Sequence, residues 1–114
     1  MSRITTHVLD TATGLPAVGV RVRLETRGAD GAWALLGDGE TDADGRLPGL
    51  LPDDAAPPAG VHRLTFDTAA YFRAREVAGF YPRVAVEFVV EDPGGHHHVP
   101  LLLSPYGYTT YRGS

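Results

Sequence analysis

At 114 residues the chain has the length of one small domain, spanning residues 1–114, and lies near the size at which association with further copies hides more apolar surface. Its net charge of -4 arises from 14 acidic against 10 basic residues. All the basic residues are dispersed arginines and none is lysine, which speaks against reading a phosphate backbone. Without cysteine there is no disulfide framework, thiolate nucleophile or thiolate metal site, so any chemistry uses oxygen and nitrogen groups.

In chain order, "MSRITTHVLD" passes directly into polar–apolar alternation without the basic and apolar regions of a secretory signal, which gives the expectation of a cytoplasmic protein. No window reaches the roughly 18 apolar residues of a spanning helix, so solubility is expected as well. "VRVRLE" at 20–25 alternates cleanly, with Val20, Val22 and Leu24 facing one way and Arg21, Arg23 and Glu25 facing water. "VHRLTFDT" at 61–68 alternates too, and His62 on it reads as a surface residue. "RVAVEFVVE" at 83–91 grows more apolar along its length, as a strand near the centre of a sheet does. "HVPLLLS" is a further strand, with Pro100 favouring an edge, a bulge or the mouth of a sheet.

Turn residues recur between these runs, as in "TRGADGAW", "DADGRLPG" and "EDPGGH", the pattern of short antiparallel strands in a sandwich or barrel. One segment breaks the period of two. "DTAAYFRAREVAG" offers Asp67 or Thr68 as an N-cap, good helix formers, and Gly79 beyond the end, which predicts two to three helical turns with Tyr71 or Phe72 packed on a sheet.

Three places carry groups suited to catalysis. His7 shares a strand face with Thr5 and Leu9, opposite Thr6 and Val8, so its imidazole need not face the core. Arg46 follows the tight-turn signal Asp44-Gly45, where a guanidinium fork can meet a planar anion or carbonyl. In "HHHVPLLLSPYGYTTYRGS" an extended strand turns His96 and His98 to one face and His97 to the other. Two histidines on one face supply two of the three ligands a catalytic zinc needs, so a zinc-dependent hydrolase is one reading. Nucleophile elbows, phosphate loops and dinucleotide fingerprints do not occur in the sequence. General acid–base chemistry by histidine, with arginine as an electrostatic stabiliser, is what this inventory leaves.

"ITTHVLDTATGLPAVGVRVRLE", "TDADGRLPG" and the closing "HHHVPLLLSPYGYTTYRGS" together resemble the 5-hydroxyisourate hydrolases, the transthyretin-like enzyme family of urate breakdown. The terminal "YRGS" is the most specific element, because it separates these enzymes from hormone-carrying transthyretins. The resemblance implies an all-β, transthyretin-like β-sandwich of two four-stranded antiparallel sheets with one short α-helix. It also implies a homotetramer, a dimer of dimers with sites at the dimer–dimer interface. The implied reaction converts 5-hydroxyisourate to 2-oxo-4-hydroxy-4-carboxy-5-ureidoimidazoline by attack of water on a ring carbonyl, with no metal and no cofactor. Carried over residue by residue, the resemblance makes His7, Arg46 and His98 catalytic, and gives Tyr111 and Ser114, with His7 and Arg46, to substrate binding. Many relatives read His-Tyr-His where this chain has His96-His97-His98, and His97 is expected to point away from the site. Tyr106, Tyr108 and Arg112 are expected to be structural, and Trp33 core or cover. A transthyretin-like small-molecule carrier is the alternative from another class.

Overall fold

The alternating runs become strands of two stacked sheets in a computed structural model that describes residues 2–114. The strands are β1 (Ile4–Asp10), β2 (Leu15–Pro16), β3 (Arg21–Arg27), β4 (Trp33–Glu40), β5 (Gly60–Phe66), β6 (Val84–Val90), β7 (His97–Ser104) and β8 (Gly107–Thr110), with helix α1 (Thr68–Ala74) between β5 and β6. One sheet has the order β2-β1-β7-β8 and the other β4-β3-β5-β6. Among the described residues no helix is long and apolar enough to cross a membrane.

Period-two alternation decides which side chains meet between the sheets. Ile4 and Val8 of β1, Val22 and Leu24 of β3, Leu64 and Phe66 of β5 and Leu101 and Leu103 of β7 are all essentially inaccessible. Each such side chain contributes about 1.5–3 kcal/mol of burial. Asp67 caps α1 by accepting the Ala70 N–H at 3.1 Å, and both Tyr71 and Phe72 pack inward. The Tyr71 hydroxyl donates to Asp10 Oδ2 at 2.8 Å, which ties the helix to the end of β1. Trp33 is half-buried under the guanidinium of Arg63, whose carbon lies 4.1 Å from the ring centroid.

The two four-stranded sheets and single helix agree with the expected sandwich, with one correction. β1 and β7 pair in parallel, because the chain crosses to the other sheet between them, so only the β4-β3-β5-β6 sheet is antiparallel throughout. β6 lies at a sheet edge rather than the centre, and its Val89 is 56% exposed. β7 is an inner strand despite Pro100. The Pro100 carbonyl accepts from Thr110 Oγ1 at 2.8 Å on the β8 side, just past the last β8 pair, Leu101 with Thr110. The missing N–H therefore falls where the ladder has already ended. α1 stops at Ala74 and the chain turns through Glu76 at φ 58°, well before Gly79. His62 shares the parity of Leu64 and Phe66 and is fully buried, stacked on Phe88 at 5.8 Å, rather than on the surface.

Candidate active site

The parallel register of β1 and β7 sets Thr5 beside His98 and His7 beside Pro100. Alternation turns Ile4, Thr6, Val8 and Asp10 inward and leaves Thr5, His7 and Leu9 half-buried on the outer face. There Thr5 Oγ1 lies 2.8 Å from His98 Nδ1 and 3.0 Å from His96 Nε2. The two imidazoles stack 10° from parallel with centroids 6.3 Å apart. His97 points the opposite way and is buried.

Arg46 arrives on a turn fixed from within. The Asp42 carboxylate accepts the backbone N–H groups of Asp44 and Arg46 at 2.9 and 3.0 Å, an Asx arrangement that needs no other partner. Gly45, at φ +74°, accepts the Val8 N–H at 2.8 Å. A β-carbon on Gly45 would lie 2.3 Å from the Val8 carbonyl oxygen, so only glycine lets this turn dock on β1. Arg46 then pairs with His7 as an isolated antiparallel bridge.

The tail completes the arrangement from the other side. Gly113 donates its N–H to the His98 carbonyl at 2.9 Å, which brings Ser114 to the rim of the same cleft. This cleft, about 710 Å³, is lined by Thr5, Arg46, Asp53, His96, His98 and Ser114 among others. Burial holds the His98 imidazole below the ordinary histidine value, and the charges of Arg46, His96 and His7 push it the same way against a smaller opposing pull from a hydrogen bond to the Thr5 backbone. A neutral, nucleophile-activating imidazole beside a permanent cation suits attack of water on a polarised carbonyl.

Of the expected site residues, Arg46, His98 and Ser114 line one cleft, and His7 adjoins it through Arg46. Tyr111 does not join them. It is 56% exposed and lines a second groove of about 300 Å³ with Phe88, Val89 and Arg112, for which His98 is the shared wall. His96 and His98 converge on Thr5 rather than on a third ligand, and among the described residues no group of three or more His, Cys, Asp or Glu is placed to hold a metal. The donor set does not fit the zinc reading.

Residues 4–113 match the HIUase/Transthyretin family. The chain belongs to this family. Within the HIUase/transthyretin family it is similar to a 5-hydroxyisourate hydrolase of Mus musculus, with 49% identity over 114 residues covering 99% of this chain and 96% of the relative. The solved structure of Klebsiella pneumoniae 5-hydroxyisourate hydrolase superposes with TM-score 0.84 at 38% identity, over 100% of this chain and 94% of that one. Sea bream transthyretin in complex with thyroxine gives TM-score 0.91 at 35% identity, over 98% and 95% of the two chains. Since proteins named as hydrolase and as transthyretin share this sandwich, the fold alone does not select an activity.

Family-level reading of the sequence passed over two residues that shape the cleft. Thr5 gives no chemical signal of its own, although its parity with His7 was visible. Gly113 is equally silent in sequence, yet a β-carbon there would lie 2.4 Å from His98 Cδ2.

Proposed function

We propose that this chain hydrolyses 5-hydroxyisourate without a metal, opening the ring by His-assisted attack of water on a carbonyl. The observation that carries this reading is the meeting of Arg46, His98 and the terminal Ser114 in one cleft, supported by 49% identity to a relative named for that activity. His98 and His7 handle the protons taken from water and returned to the departing ring nitrogen. The Arg46 guanidinium stabilises the oxyanion or holds the oxygen-rich edge of the substrate by paired hydrogen bonds. Ser114, through its hydroxyl, orients water.

The reading includes a homotetramer built as a dimer of dimers, acting in the cytoplasm. Edge strands β6 and β8 support assembly, with Val89 and Tyr111 each 56% exposed beside them. Leu15 at 60% and Val18 at 50% exposure support a second contact near the β1 face, which would enclose the cleft. Tyr111, on the far side of His98, takes part in binding only through such an assembly. Light scattering tests the tetramer and cell fractionation the location.

The activity is tested by generating 5-hydroxyisourate in place with a urate oxidase and following its ultraviolet decay. Wild-type protein is expected to accelerate the decay, and His98→Ala and Arg46→Ala to lose the acceleration while the oligomer persists. Decay at the spontaneous rate with wild-type protein overturns the reading. Tight thyroxine binding in its place would favour the carrier alternative, for which the similarity to sea bream transthyretin bound to thyroxine is the supporting observation.

A further inference from the structure

His96 is the outward-facing histidine of the closing segment that the proposed reaction leaves without work, and its position gives it some. It is exposed, and its Nε2 approaches the same Thr5 oxygen that holds His98 Nδ1, at 3.0 and 2.8 Å respectively. A threonine hydroxyl has one proton and two lone pairs. It can donate to only one imidazole at a time, so the two rings cannot both present a bare nitrogen to it, and their tautomers are not independent.

We propose that Thr5 is a positioning residue that couples His98 to His96, so that the protonation of the exposed ring sets which nitrogen of the inner ring carries hydrogen. Two arrangements place the hydroxyl proton between the rings. In the first, Thr5 donates to His96 Nε2 and accepts from His98 Nδ1–H, which leaves His98 Nε2 as a bare base. In the second, Thr5 donates to His98 Nδ1 and accepts from His96 Nε2–H, which leaves His98 Nε2–H as an acid.

The passage between them balances in protons without any other reactant. His98 Nε2 takes a proton from the attacking water, its Nδ1 proton moves to Thr5 Oγ1, and the hydroxyl proton moves to His96 Nε2. His96 then releases its Nδ1 proton to solvent. The inner ring is left neutral with Nε2–H, ready to protonate a departing ring nitrogen, and the reverse sequence resets it. Burial and neighbouring charge both disfavour a lasting imidazolium at His98, which makes an outlet through the exposed ring useful. The near-parallel stack of the two rings at 6.3 Å keeps both nitrogens within reach of one oxygen.

The proposal rests on the hydrolase reading for its use, but its test has an arm independent of activity. Long-range proton–nitrogen spectra of full-length protein labelled at histidine, at a pH where both rings are neutral, report the tautomer of His98. In His96→Ala, Thr5 is free to donate to His98 Nδ1, so the His98 signals are expected to shift toward the Nε2–H tautomer. An unchanged His98 pattern in that variant overturns the coupling, whether or not the protein hydrolyses anything. In the kinetic arm, Thr5→Val is expected to lower kcat by about a hundredfold, the lower end of what general acid–base catalysis contributes, with KM nearly constant. Thr5→Ser restores the hydroxyl and is expected to recover most of kcat. A Thr5→Val enzyme with wild-type kcat, or a Thr5→Ser enzyme as slow as Thr5→Val, counts against the proposal. Absence of activity in the wild type counts against the hydrolase reading and leaves the spectroscopic arm to decide the coupling.

Discussion

Gly113 lies flat against the ring of His98. A β-carbon on it would stand 2.4 Å from His98 Cδ2 and 3.3 Å from Pro100 Cγ, while its N–H holds the His98 carbonyl at 2.9 Å. The tail therefore fixes both the backbone and the ring plane of the residue assigned to proton transfer.

Gly113→Ala is expected to tilt the His98 ring away from the tail. Misplacement of a reacting group by about 1 Å can cost a hundredfold, so kcat should fall by at least about tenfold. The clash lies at the end of the chain, outside the core, and the melting temperature should change little. Steady-state kinetics alongside a thermal melt separates the two effects.

A short extension after Ser114 has a related but distinct consequence. It puts extra chain into the cleft that Ser114 lines, in the space meant for substrate. Loss of kcat/KM with an unaltered melting temperature is expected, and removal of the extension by a site-specific protease should restore activity. An extended enzyme as fast as the unmodified one would show that the tail serves the fold and not the site.

Much of this was legible in sequence where parity and turn chemistry act locally. The faces of Val22 and Leu24, the cap at Asp67, the inward turn of His97 and the outward turn of His96 and His98 all follow from spacing. His62 was equally legible by parity with Leu64 and Phe66, and was misjudged because histidine reads as polar; the fold accommodates it by stacking on Phe88. The edge position of β6 was not legible, since an apolar run does not say where in a sheet the strand lies. Nor was the bond between Thr5 and His98, separated by 93 positions, because it depends on the parallel register of β1 with β7. Long-range register of that kind is fixed by the whole core.

Gly45→Ala tests how Arg46 is delivered. The φ of +74° is costly for alanine, and the added carbon would meet the Val8 oxygen at 2.3 Å and Pro16 Cβ at 3.2 Å. Backbone strain of about 1–3 kcal/mol is expected, together with a shift of Arg46 off β1. Both the melting temperature and kcat should drop, whereas Arg46→Ala should lower kcat alone. A Gly45→Ala protein with normal stability would mean that the turn relaxes without cost.

The lowered affinity of His98 and His62 for protons sets the acid behaviour. At His62 burial is the main cause, opposed by its bond to the Gly60 carbonyl and aided by His97; at His98 burial leads and Arg46 follows. In both, the unfolded chain binds a proton at higher pH than the fold does, so the stability present above about pH 6.5 is lost as pH falls through the folded values. The melting temperature should decline as pH drops below about 6.5. Arg46→Gln removes a cation beside His98 and should raise its titration midpoint in nitrogen spectra; a midpoint that stays or falls would contradict the assigned cause.

The bond from Tyr71 to Asp10 gives the last prediction. Asp10 is buried, and its Oδ1 accepts the Ala12 and Thr13 N–H groups at 3.0 and 3.2 Å, so Oδ2 depends on the Tyr71 hydroxyl at 2.8 Å. Tyr71→Phe keeps the ring packing but leaves that oxygen unsatisfied, a cost of about 1–3 kcal/mol. Burial first, then the bond and charge of Asp10, push the Tyr71 phenol up to about 12. Its folded value exceeds its unfolded one, so the stabilisation is complete below about pH 10 and is lost as pH rises through about 12. Tyr71→Phe should therefore melt earlier at neutral pH and lose less stability than wild type on the alkaline side. Because Tyr71 stands apart from the cleft, kcat at 25 °C should be unchanged, and a variant equal to wild type in both melts would show that another donor reaches Asp10.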